Sequence, residues 1–171
     1  MALVLSNLRE TLFKLGPLIL LVFICISEFH TQFYYWGIFT FNFQFIIIYY
    51  WILRDPDILG YGFVFICGFI NDVVLSLPLG TSALSYLFVS LVAAYVRNAT
   101  VRSTIFTDWF TFVVGIIIGN FITFFLLKNF SEFQIDYISL FYNAFFTFLL
   151  YPVFWFLFEF YRNFVGLKTY D

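Results

Sequence analysis

Charge is what this sequence has least of: Lys, Arg, Asp and Glu together make up 11% of its 171 residues. A soluble domain covers its surface with charged side chains, typically about a quarter of its residues. Residues of the apolar classes make up 63%, so the chain is expected to present apolar surface to a lipid bilayer rather than to water. Histidine is nearly missing, with His30 alone, and cysteine is limited to Cys25 and Cys67. His30 falls in a short loop beside no ligand cluster. The two cysteines sit inside apolar runs without a partner at metal-ligand spacing, the pattern of buried, inert thiols. No nucleophile–base pair and no Gly-rich phosphate loop is present, and no Lys or Arg lies deep inside an apolar segment, Lys14 being near enough to an end to snorkel outward. Acid–base catalysis therefore has almost no material. A non-enzyme is expected, without cofactor, metal or nucleic-acid partner.

A cleaved leader is not expected either. Arg9 and Lys14 precede the apolar run 15–26, as in a signal, but Ser27, Glu28 and Phe29 show no small-residue cleavage pattern. The segment reads as retained. Phenylalanine is over-used, with 29 copies. Ligand stacking is one reading of this; the plainer one is that any large apolar side chain serves in lipid.

Crossing the hydrocarbon core takes about 20 apolar residues, with about 17–25 usual. Six stretches approach that length: 12–27, 34–53, 58–77, 79–96, 105–127 and 137–161. Strict alternation over ten-residue segments is absent, which argues against a β-barrel. The expected fold is all-α, one membrane domain of six transmembrane helices spanning 1–171. Turn chemistry separates the segments. Pro56, in Arg54-Asp55-Pro56-Asp57, is placed to start the third helix. Pro78-Leu79-Gly80 makes a tight joint before the fourth. Pro152 lies inside the sixth, where it predicts a kink.

Positive charge sets the orientation. With the N-terminus in the cytoplasm, Arg9, Lys14, Arg54, Arg97, Arg102, Arg162 and Lys168 are all inside and only Lys128 is outside. Both termini are then cytoplasmic. No internal repeat and no matching pair of broken helices is visible, which counts against a repeat-built transporter.

Asp72 is the one acid well inside a segment, about 22 Å along the third helix at about 1.5 Å per residue. An ionisable group there is a candidate functional site. Gly68, Asp72 and Ser76 fall at i, i+4 and i+8, one stripe with Asn71 beside it. The stripe reads either as a polar cavity or partner contact, or as structure, with Asp72 bonding the backbone freed at the Pro78–Gly80 turn. On the structural reading Asn at 72 would keep most of the acceptor ability. Asp108 suits a helix N-terminus, and Glu159 with Arg162 forms an i, i+3 pair. Gly115 and Gly119 make a G-x-x-x-G, and Ser82, Ser85, Ser90, Ala93 and Ala94 give the fourth segment a small-sided face. Both features let helices approach closely, within the protein or against a partner.

The run Tyr50-Trp51, Arg54 with Pro56, Gly68-x-x-x-Asp72, Pro78-Leu79-Gly80 and Ala83-Leu84 with Tyr86 resembles the rod shape-determining protein MreD family, over about residues 48–97. The resemblance implies an inner-membrane component of the cell-elongation machinery. Its expected partners are the single-pass protein MreC, the actin-like filament protein MreB, and the glycan polymerase and transpeptidase of lateral wall synthesis. It also implies a fold similar to the substrate-binding subunits of energy-coupling-factor vitamin transporters. The leading expectation is a non-catalytic scaffold or adaptor. The alternative is a vitamin-binding transporter subunit, in which Asn71, Asp72, Ser76, Thr81 and Ser82 would converge on one cavity.

Overall fold

The computed structural model describes residues 15–27, 41–100, 104–130 and 137–165, and within these the chain is helical without strands. Six helices follow in order: α1 (Leu15–Ile26), α2 (Phe43–Arg54), α3 (Tyr61–Val74), α4 (Thr81–Ala99), α5 (Ile105–Phe130) and α6 (Tyr137–Val165). At 1.5 Å per residue, α5 and α6 reach about 39 and 43 Å, more than a hydrocarbon core of about 30 Å. These two helices are long and apolar enough to cross a membrane, with mean hydropathy 2.3 and 1.6. Only 22% and 11% of those stretches are buried within the protein. Phe106, Phe110, Phe121, Phe141 and Phe160 are exposed on them, an apolar exterior of the kind that marks a membrane or partner contact.

The shortest of the complete helices lies at the centre. Every residue of α2 from Phe45 to Leu53 is buried, and an all-round apolar helix is one that neighbours enclose. Helices α4, α5 and α6 pack on it. Helix α1 closes the bundle through Leu21, Ile24 and Cys25, and its Gly16 lies against the Tyr161 hydroxyl of α6. On the outside, α3 packs against α4, and α4 against α5. Ring contacts fill the centre: Phe45 meets Tyr86 edge-on at 5.9 Å, Tyr49 meets Phe112 at 4.9 Å, and Tyr50 meets Phe158 at 5.1 Å.

The entry of α2 is fixed twice. Asn42 accepts from the Phe45 amide through its side chain, and its own amide donates 2.8 Å to Thr147 Oγ1 on α6. Pro152 leaves a problem one turn further along α6. It has no N–H to give the Phe148 carbonyl. Trp109 of α5 supplies the missing donor, Nε1 to that carbonyl at 2.9 Å, with its ring stacked on Phe148 at 4.9 Å.

Several boundaries differ from the sequence expectation. The third helix is 61–74 rather than 58–77, because each end is taken by a turn. Pro56 does not start it. Asp55 to Ile58 form a turn closed by Ile58 N–H to Asp55 C=O at 3.1 Å, with Pro56 second in the turn, where its fixed φ fits. At the other end Ser76 adopts φ 53°, and Leu77 N–H reaches back to Asp72 C=O at 2.9 Å. This left-handed cap ends α3, so Ser76 is not on a helical stripe with Gly68 and Asp72. The fourth helix starts at Thr81, and the fifth and sixth run on to Phe130 and Val165. Residues 12–14 and 34–40 of the first two expected segments lie outside the described residues, as do His30, Arg9, Lys14, Arg102 and Lys168.

Candidate functional site

Two polar centres stand out, one at each end of the bundle. The first is the joint between α3 and α4. Gly68 lets the helices nearly touch: a Cβ there would lie 2.4 Å from Ala83 Cα and 2.7 Å from its N. One turn on, fully buried Asp72 accepts from Gly80 N–H through Oδ2 at 2.8 Å and from Ser82 N–H through Oδ1 at 2.7 Å. The carboxylate thus caps α4 from the neighbouring helix. Asn71 Nδ2 donates to Ser82 Oγ at 2.9 Å. Pro78 C=O accepts from Thr81 N–H at 3.1 Å and from Thr81 Oγ1 at 2.8 Å. Gly80 closes the turn at φ 101°, a conformation glycine takes at little cost. Ser85 Oγ, 2.7 Å from Thr123 Oγ1, ties the joint on to α5. Gly68, Asn71, Asp72, Pro78 and Gly80 are therefore brought together, with Asp72 bonded to Gly80 and Ser82, Asn71 to Ser82 and Pro78 to Thr81.

The second centre gathers at the end where α2 and α4 stop and α5 begins. Arg54 pairs with buried Asp108 at 2.9 Å, and Trp155 Nε1 donates to the same Oδ2 at 3.2 Å. The Arg54 guanidinium also lies 5.6 Å from the Trp155 ring centre. Glu159 accepts from Tyr50 at 2.9 Å and from Arg162 at 2.7 Å. Arg97 Nη1 donates to Ile52 C=O at 3.1 Å, satisfying a carbonyl left open at the α2 C-terminus. Burial pushes the Asp55 carboxyl above its ordinary range, against the pull of Arg162 and Arg54. The i, i+3 pair Glu159–Arg162 is as the sequence predicts. Arg54–Asp108 and Tyr50–Glu159 are not visible there, since 54 and 109 residues separate the partners. Lys128 lies 20 residues beyond Asp108 on α5, about 30 Å away at the other end.

The glycine pair of α5 faces inward. A Cβ on Gly119 would meet the Phe45 ring at 2.7 Å and Val89 at 2.9 Å, and one on Gly115 would lie 3.5 Å from Tyr49. Of the two readings of this motif, the structure selects packing within the chain. Cys25 and Cys67, buried and free, meet between α1 and α3 beside Tyr86, a proximity their spacing does not reveal. An open groove of about 500 Å³ runs along α3, lined by Phe65, Ile66, Phe69, Ile70, Val73 and Val74. Among the described residues, no three His, Cys, Asp or Glu side chains group as metal ligands would. Comparison with protein-family models, with curated proteins and with solved structures returns no match.

Proposed function

We propose that the chain is a six-span protein of the bacterial inner membrane that serves as a non-catalytic scaffold or adaptor of the cell-elongation complex. Its partners on this reading are an MreC-like single-pass protein, the MreB filament, and the lateral-wall glycan polymerase and transpeptidase. The observation that carries it is the α3–α4 joint. Gly68, Asp72, Pro78, Gly80 and Ala83, which give the sequence its resemblance to the MreD family, come together in one cross-braced corner. Both Asp72 oxygens are taken by the amides of Gly80 and Ser82 at the start of α4. That favours a rigid surface for assembly over the vitamin-binding alternative, in which several polar groups would face one cavity. The groove along α3 offers only apolar side chains.

The reading is tested by affinity purification of the tagged full chain in mild detergent. Recovery of an MreC-like protein or of the wall polymerase is the expected result. A co-purified vitamin, without those partners, overturns it in favour of the transporter subunit.

A further inference from the structure

Helix α3 is the short wall of the bundle. Its 14 residues rise about 21 Å, against a hydrocarbon core of about 30 Å. One end is fixed at the joint, where Gly68 crosses Ala83. From that crossing α3 runs back to Tyr61, about 10 Å. Beside it α4 runs on from Ala83 to Ala99, about 24 Å. Arg97, near the end of α4, binds the Ile52 carbonyl of α2, so α2 and α4 reach the Arg54 end together. Helix α3 starts well short of that end, and the segment 55–60 bridges the difference.

The start of α3 is a place that needs water. The amides of Tyr61, Gly62 and Phe63 find no backbone acceptor among the described residues, and the first bond of the helix runs from Val64 N–H to Gly60 C=O at 3.1 Å. Gly60 caps the helix without a side-chain bond, and Gly60, Tyr61 and Gly62 are all exposed. Hydrocarbon does not satisfy such amides. Asp57, exposed in the preceding turn, brings a charge to the same flank. Tyr61 itself is an amphipathic aromatic of the kind that collects at membrane–water boundaries. Its counterpart on α4 is Tyr95, exposed and about 18 Å from the crossing rather than about 10 Å.

On the six-span reading, we propose that the bilayer is depressed along α3, so that water and lipid headgroups reach its first turn nearer the bilayer centre than they reach α5. The partner of this flank is the headgroup layer itself, drawn inward by the free amides and the Asp57 carboxylate. A short apolar wall thins the bilayer beside it, whereas the long helices α5 and α6 keep the full thickness on the other side.

Helix α5 provides the control. It runs antiparallel to α4, with Thr123 against Ser85 and Gly119 against Val89. Gly62 lies about 9 Å from the Gly68 crossing, level with about Val89. Exposed Ile117 of α5 is then slightly nearer the Arg54 end than Gly62 is, and in a uniform bilayer it would be the wetter position. Space around Gly62 is open, so a cysteine there is accommodated. The full chain carrying Gly62→Cys, Ile117→Cys or Asp57→Cys is reconstituted in liposomes of phosphatidylethanolamine and phosphatidylglycerol and treated with N-ethylmaleimide. This reagent crosses bilayers but reacts with the hydrated thiolate. The wild type, whose Cys25 and Cys67 are buried, sets the background. Gly62→Cys is expected to react near the rate of Asp57→Cys, and about tenfold or more faster than Ile117→Cys. Gly62→Cys as slow as Ile117→Cys, with Asp57→Cys fast, overturns the depression and leaves the six spans standing. Fast reaction at all three positions overturns it too, and with it the reading of α5 as a lipid-facing span.

Discussion

Each oxygen of the Asp72 carboxylate serves a different amide, Gly80 through Oδ2 and Ser82 through Oδ1. Alanine at 72 leaves both N–H groups without this acceptor, at about 1–3 kcal/mol for the buried Ser82 amide and less for the part-buried Gly80 amide. Asparagine keeps one acceptor and turns an NH2 toward the other amide, so it should fall midway rather than retain nearly everything. Thermal unfolding in detergent should rank wild type above Asp72→Asn and Asp72→Ala lowest. Equal stability of all three would show that the cap contributes nothing. Gly80→Val should also lower the midpoint, though for another reason: space around a new Cβ is open, and the penalty of about 1–2 kcal/mol comes from φ 101° alone. The capping role of Asp72 was legible in the sequence, because a proline and a glycine six and eight residues later leave helix ends in need of acceptors. The Arg54–Asp108 pair was not, since it joins residues 54 positions apart that only the folded bundle brings together.

Between helices, the chain solves two problems that lipid makes acute, close approach and unsatisfied backbone. In a bilayer the apolar effect gives helices little reason to associate, so contact distance and hydrogen bonds decide. Three of the glycines at helix contacts, Gly68, Gly115 and Gly119, should therefore respond differently to alanine. Gly68→Ala sets a methyl against Ala83 backbone at 2.4 Å, which cannot yield without parting α3 from α4. Gly119→Ala meets the Phe45 ring at 2.7 Å, which can shift. Gly115→Ala finds ordinary contact at 3.5 Å. Unfolding midpoints are expected to fall most for Gly68, less for Gly119 and least for Gly115, and a reversed order would show that the crossings are wrongly drawn. The second problem is the Phe148 carbonyl. Trp109→Phe removes its donor and should cost about 1–2 kcal/mol. Pro152→Ala restores an N–H to the helix, so the same Trp109→Phe change should cost less in that background. Additive effects of the two changes would sever the link between proline and tryptophan. The length of the apolar stretches located these helices, and spacing the glycine pair, but neither located their partners. A tryptophan and a proline 43 residues apart carry no mark of sharing one carbonyl, and an all-apolar α2 has no polar face to say where it points.

Taken whole, the bundle has an apolar middle, and among the described residues its charges are sorted to the ends. Arg54, Arg97 and Arg162 lie at one end with Asp55, Asp108 and Glu159, while Lys128 stands about 30 Å away along α5. The sorting was legible from the linear sequence, because the positive-inside rule reads each Lys or Arg by its loop and not by its neighbours. The neutralisation within the cluster was not legible, since pairs such as Arg54–Asp108 form across helices. The distinction bears on orientation. Acidic residues weigh little in that rule, so an arginine paired with an aspartate still counts toward the inside. On the six-span reading, the Arg54 end faces the cytoplasm and the Lys128 end faces outward. A phosphatase active only outside the inner membrane should accordingly be silent when fused after Asp171 and active when inserted near Glu132. The paired positions separate the alternatives: with five or seven spans one terminus changes sides, and a fusion before Met1 would disagree with the one after Asp171. Activity at Asp171 with silence at Glu132 would invert the bundle. The arginine cluster would then face outward, and a partner filament in the cytoplasm would have to dock on the α3–α4 corner instead.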